Sequence, residues 1–222
     1  MNVTQRYCYV YKPLVFVAGL APLVWLVCGA FGWFGASLGA DPVKELEHEC
    51  GKTALNFLLL TLAVTPVRNI LALPQLLRLR RMLGLFAFFY AVLHFTVYVV
   101  LDLELNWSTL GADLAKRPYI TIGFTALLLL IPLAATSTNG MMRRLGKRWT
   151  SLHRLVYVIA ILGVWHFYWQ VKRDVREPLI YGAILALLLG YRVVRSRVAA
   201  RTRADLTARS RAGLSLRQSE AD

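Results

Sequence analysis

Four histidines occur in the 222 residues, and three of them, His94, His153 and His166, lie in or at the edge of long apolar runs. An ionisable side chain is costly inside hydrocarbon, so each marks a functional site unless it only hydrogen-bonds a neighbouring helix. Neutral imidazole is also the commonest protein ligand to metals and an established axial ligand of heme iron. His94 follows Arg81 in the third run much as His166 follows Arg154 in the fifth, the two intervals differing by a single position. At 1.5 Å per residue, those offsets put the two rings about 20 Å and about 18 Å from the same end of their helices. Two histidines on separate helices at matched depth are what a bis-histidine heme requires. His94 and His166 are therefore the candidate axial pair.

His153 sits at the mouth of the same apolar run as His166, about 20 Å away along a helix axis, which suits a second heme stacked beneath the first. Its partner would be expected at position 80 or 81, where Arg80 and Arg81 stand. Arginine cannot ligate iron at usable pH. Thirteen steps of about 100° also leave His153 and His166 roughly 140° apart on an ideal helix, which a π-bulge or kink would have to correct. Three roles stay open for His153: ligand of an incompletely held second heme, alternative ligand, or hydrogen-bonding partner of a propionate or flavin. His48, inside the acidic stretch DPVKELEHEC (41–50), reads as a solvated loop histidine or as a contact for a docking partner.

The elements that must position these residues are membrane helices. Hydrophobic residues make up 57% of the chain and charged ones only 17%, against about 45–50% and about 25% in soluble domains. Six stretches contain no Asp, Glu, Lys or Arg: Pro13–Ala40, Thr53–Val67, Met82–Leu101, Pro118–Met142, Leu155–Val171 and Pro178–Tyr191. Crossing about 30 Å of hydrocarbon takes about 20 residues of helix. The second and sixth stretches are short, but Arg68 and Arg192 can snorkel and extend them. The expected fold is all-α, a polytopic bundle of about six transmembrane helices. The first apolar run is too long for a cleavable signal peptide.

Basic residues set the expected orientation. With both termini cytoplasmic, 19 of the 26 Lys and Arg face inward and seven face outward, while nine of the twelve acids lie outside. The positive-inside rule favours that arrangement in a bacterial inner membrane. The net charge of +14 is then a topology signal and a contact with anionic lipid, with no nucleic-acid partner implied. Residues 1–12 form a cytoplasmic arm, 13–195 the transmembrane heme domain, and 196–222 a basic cytoplasmic tail expected to be disordered. Cys8, Cys28 and Cys50 are not expected to form a disulfide framework. No symmetry between two halves of the chain is expected, which argues against a transporter.

Several segments resemble the MsrQ (YedZ) family, the heme-binding membrane subunits of the bacterial periplasmic methionine-sulfoxide reductase system. They are ADPVKELEHECGKTAL (40–55), RLRRMLGL (78–85), TSTNGMMRRLGKRW (136–149) and LHRLVYVIAIL (152–162). The histidine pattern is more distantly similar to the ferric-reductase and NADPH-oxidase transmembrane domain. The resemblance implies an electron conduit that is not itself the catalyst, carrying heme b on His94, His153 and His166, and FMN at a place not assignable to residues. It implies electrons drawn from quinone, or from a flavoprotein, and delivered to a periplasmic molybdenum-cofactor subunit that reduces methionine sulfoxide. A cluster of Arg78, Arg80, Arg81, Arg143, Arg144, Lys147 and Arg148 could hold a phosphate, or only set topology. The oxidase and ferric-reductase pattern continues into a cytoplasmic flavin and nicotinamide domain, and the residues after the sixth span hold no glycine-rich dinucleotide fingerprint. The competing function is a free-standing transmembrane heme reductase of metal ions or oxygen.

Overall fold

In the computed structural model, residues 7–35, 37–171 and 174–219 are described, with side chains described within 9–202. Cys8, Arg6, Lys172, Arg173 and the tail arginines from Arg203 onward, all named or counted above, lie outside those side chains. The described residues are helical or in turns and form no strand. Six helical segments among them are long and apolar enough to cross a membrane: Tyr9–Phe31, Pro42–Leu71, Pro74–Asp102, Pro118–Ala135, Lys147–Gln170 and Arg176–Thr202. Each contains or overlaps one of the six charge-free stretches, and the two short ones lengthen at their charged ends, as snorkelling requires.

Helix α1 (Lys12–Phe31) follows a π-helical turn, starts on Pro13 and stops at left-handed Gly32, whose N–H returns to the Cys28 and Gly29 carbonyls. Pro22 lies inside it, and beside that proline a side chain from another helix meets the backbone. The hydroxyl of the fully buried Tyr90 donates to the Gly19 carbonyl (2.8 Å) and accepts from the Leu23 N–H (3.1 Å). A side chain thus bonds the helix backbone on both sides of Pro22, inside hydrocarbon where unpaired polar groups cost several kcal/mol.

Helix α2 runs Pro42–Leu71. Asp41 caps it by accepting the Lys44 N–H, and Pro42 takes the first helical position. Hydrogen bonding from Lys44, side chain before backbone, holds the Asp41 carboxyl below its ordinary value. The segment from 42 to 52, expected to be loop, is therefore the first three turns of a 30-residue helix. Its charge density reads as loop, yet the Asp-Pro start and the glutamates near the N-terminus are helix signals. Helix α3 (Arg80–Val97) runs back and ends in a π-turn, Tyr98–Asp102.

The short helix α4 (Trp107–Lys116), capped by Asn106, lies between the third and fourth spans and has no counterpart among the expected elements. Helix α5 (Pro118–Ala135) enters from there, and α6 (Asn139–Leu145) and α7 (Lys147–His153) form the next connection, separated by Gly146 at positive φ. Helix α8 (Leu155–Gln170) is set off from α7 by a tightened turn, with the Arg154 N–H reaching the Ser151 carbonyl. Helix α9 runs Arg176–Ser219, through the segment from 196 read above as a tail. The chain divides into two compact units, residues 1–185 and 186–222, the second being the later part of α9. Within the first unit the two most extensive helix pairings are α2 with α3 and α5 with α8. These two hairpins hold the site.

Candidate functional site

The His94 and His166 rings face one cavity of about 680 Å³, and their centroids lie 6.1 Å apart with planes at 72°. In each, Nδ1 is tied to backbone: His94 to the Glu47 carbonyl at 2.8 Å and His166 to the Tyr119 carbonyl at 2.7 Å. A carbonyl only accepts, so each neutral ring is protonated at Nδ1 and carries its lone pair on Nε2. This is the carbonyl partner that fixes the tautomer and orientation of ligating imidazoles.

Glycines make room for both rings. A Cβ on Gly51 would meet His94 Cε1 and Nδ1 at 3.2 Å, and one on Gly123 would meet the same atoms of His166 at 2.8 Å. Each glycine sits one turn past the accepting carbonyl on the same helix, Glu47 before Gly51 and Tyr119 before Gly123. The arrangement is one device used twice. Both hydrogen bonds span the same sequence separation, and His94, Gly51 and Glu47 return at one constant offset along the chain as His166, Gly123 and Tyr119.

The offset extends along the lining. Ala54, Leu55 and Leu58 on α2 answer to Ala126, Leu127 and Leu130 on α5, and Ala87, Ala91 and Phe95 on α3 to Ile159, Gly163 and Phe167 on α8. The expectation of no symmetry between halves is thus corrected: α2–α3 and α5–α8 are a structural repeat. The repeat is hard to see in sequence because its identical pairs, such as Ala54 with Ala126, Leu55 with Leu127, Leu58 with Leu130 and Phe95 with Phe167, are common apolar residues confined to the cavity face. The absence of a repeat consequently drops out of the case against a transporter.

His48, expected in a solvated loop, is half-buried on α2 and lines the cavity, with its ring 5.7 Å from that of Phe167. A signal was available in the Asp41-Pro42 helix start, which places position 48 on α2 and not in a loop. Above the α3 side, Tyr98 donates to the buried Asp113 carboxylate at 2.7 Å, and Arg117 pairs with the same group at 3.2 Å. That network fixes α4 over the cavity.

His153 is not brought to the cavity of His94 and His166. It stacks on Trp149 at 3.9 Å, with Nδ1 on the Trp149 carbonyl at 3.1 Å, while Nε2 is buried without a hydrogen-bond partner. Trp149 is itself anchored by its indole N–H on the Thr136 carbonyl. By the offset of the repeat, the counterpart of His153 is Arg81, which hydrogen-bonds the Asn139 side chain. The inner level therefore departs from the repeat where the outer level keeps it.

The residues fit an iron porphyrin at the outer level. Imidazole nitrogens sit about 2 Å from a bound first-row metal, and about 1.2 Å more reaches each ring centre, so two rings on one metal have centres about 6 Å apart. Among the described residues, no cluster of three or more His, Cys, Asp or Glu offers a conventional ion site instead.

Comparison with known proteins agrees with this architecture. Residues 50–164 match the family described as "Ferric reductase like transmembrane component". A protein of Xanthomonas oryzae pv. oryzae is 49% identical over 211 residues, covering 94% of this chain and 97% of that protein. One from Xanthomonas euvesicatoria pv. vesicatoria is 52% identical, covering 87% and 90%, and one from Bordetella pertussis is 50% identical, covering 86% and 93%. All three are named "Protein-methionine-sulfoxide reductase heme-binding subunit MsrQ". The six apolar helices, the family match across the two hairpins and this level of identity over nearly the whole chain lead to one conclusion: the chain is a multi-pass membrane protein belonging to the MsrQ family, within the ferric-reductase-like transmembrane proteins.

Proposed function

We propose that the chain is the heme-binding membrane subunit of a protein-methionine-sulfoxide reductase system, with His94 and His166 as the axial ligands of one heme b. The observation that carries this reading is the pair of imidazoles lining one cavity, 6.1 Å between centres, each with Nδ1 on a backbone carbonyl and so with its lone pair on Nε2. Heme supplies one-electron redox chemistry, and catalysis of sulfoxide reduction belongs to a partner subunit. What the protein contributes is ligation, a fixed tautomer and an apolar lining that sets the redox environment.

The same reading assigns a route: electrons pass from the quinone pool, or a flavoprotein, across the inner membrane to a periplasmic molybdenum-dependent reductase. The acidic loops face the periplasm and the basic ones the cytoplasm, as the cation distribution favours. The cavity opens among Asp41, Lys44, Asp102 and Arg117, the end of the bundle assigned to the periplasm, which suits an exit to a soluble partner. His153, with its unpartnered buried nitrogen, is the candidate to hold an inner heme or bond a flavin at the other end. FMN rests on family resemblance alone. The test is a reconstituted pair: quinol reduces the heme band of the purified chain, and the partner with a protein-bound methionine sulfoxide reoxidises it. A heme that quinol and reduced flavin both leave oxidised, or one the partner does not reoxidise, counts against the route.

A further inference from the structure

We propose that the cavity takes heme in one fixed orientation, its two carboxylates lodged between α2, α8 and α9 against His48 and Lys52. This rests on the heme reading above. The repeat makes the two sides of the cavity comparable residue by residue. On one side stand His48, Lys52 and Phe167, and their equivalents in the other copy of the repeat are Ile120, Phe124 and Phe95. A porphyrin is itself nearly symmetric apart from its acidic edge, so the place where the protein breaks its own repeat decides which way that edge points.

On the α5 side the one cation among the described residues lining the cavity is Arg117, which stands at the mouth before Pro118 and pairs with Asp113 at 3.2 Å; past it the wall offers a carboxylate no donor. Phe95 and Phe124 pack at 5.5 Å, and Ile120 packs against the buried cluster of Tyr98 and Val99 from the π-turn and Leu110 from α4. The Tyr98 phenol there is committed to Asp113. The deep end, formed by Ala87, Ala126, Leu130 and Ile159, is apolar as well. Ionised groups placed against the Phe95–Phe124 wall or at the deep end would lose water and gain no donor.

The α2 side is built differently. His48 rests against Phe167, and Phe167 in turn against Tyr181 of α9 at 5.5 Å. Lys52 lies one turn further along the same face of α2, with Nζ 3.3 Å from both Glu49 and Glu177. Those contacts are longer than the about 2.7–2.9 Å of a well-formed charge-assisted hydrogen bond. They tether the ammonium at the cavity wall and leave one of its three donors for a ligand. Imidazole and ammonium together give two carboxylates a donor each, further along α2 than Asp41 and Glu45, the acids that line the same side at the mouth.

Detergent-purified apoprotein titrated with heme and with heme dimethyl ester tests this. The ester keeps iron and ring but cannot accept charge-assisted bonds. Wild-type protein should bind heme at least about tenfold more tightly than the ester, the loss expected for one charged hydrogen bond. Lys52→Met with His48→Phe should bring the ratio close to one while the ester still gives a bis-histidine spectrum. Equal wild-type affinities, or a double variant that keeps the preference, overturn the assignment. Should neither porphyrin bind wild type, the heme reading falls, and this proposal with it.

Discussion

Gly123 lies so close to His166 that a single added methyl would sit 2.8 Å from the ring, while Gly51 leaves His94 a few tenths of an ångström more. Both glycines occur one turn past the carbonyl that holds the ring. The spacing of helix, glycine and imidazole is what presents each ring to the cavity, and the difference between the two sites makes a graded prediction.

Gly123→Ala should displace His166 and remove most bound heme from purified protein. Gly51→Ala should weaken binding less, because shifts of a few tenths of an ångström can absorb a contact of 3.2 Å. The heme absorbance per chain, measured for both variants, checks the order. Equal retention in both would mean that the glycines do not set the ring positions.

Tyr90→Phe should separate stability from ligation. The hydroxyl bridges Gly19 and Leu23 across Pro22 of α1, away from the cavity. Its loss removes two buried hydrogen bonds to the α1 backbone, at a cost of about 1–3 kcal/mol. Thermal unfolding in detergent should shift downward while the heme spectrum of the folded protein is unchanged. An altered spectrum with unaltered unfolding would contradict this division.

His153→Ala should leave the absorbance due to the His94–His166 pair and lower the total heme per chain. The motive is the buried Nε2 without a partner, at a level where Arg81 occupies the equivalent position. A pyridine hemochrome assay against protein concentration reads it. Unchanged heme content would remove His153 from the ligands and leave it the flavin or propionate role.

Orientation is open to reporter fusions. Insertions in 39–41 and 103–106, the connections before α2 and α4, should report the periplasm, and those in 143–148 the cytoplasm, because the basic residues gather on the second side. A periplasmic signal at 143–148 would reverse the proposed direction of electron flow.

Much of this architecture was legible in the sequence, for a specific reason. Membrane helices announce themselves by the absence of charge, so the runs around His94 and His166, and the depth of each ring, followed from counting from Arg81 and Arg154. Features that depend on side-chain pairing between helices were not legible. His48 looked like a loop residue because charged neighbours outweighed the Asp41-Pro42 start signal. Tyr90 as a bridge across Pro22, and Asp113 as the buried anchor of α4, needed three dimensions. The repeat lay hidden because its identical positions are confined to the cavity face and are mostly common apolar residues, and only contact with His94 and His166 marks Gly51 and Gly123 as the informative ones. The tightened turn at Arg154 lies where the rotational mismatch between His153 and His166 called for a deviation, though it leaves the partner of His153 unassigned.

The most direct measurement is the visible spectrum of the purified protein, oxidised and dithionite-reduced, beside His94→Ala and His166→Ala. The wild type should show a b-type spectrum whose Soret band shifts on reduction. Each variant should lose most of the outer heme, because either substitution empties one axial position and the remaining Nε2 alone cannot complete the site. Full heme retention with an unaltered spectrum in both variants would contradict the central claim that His94 and His166 hold the iron between them.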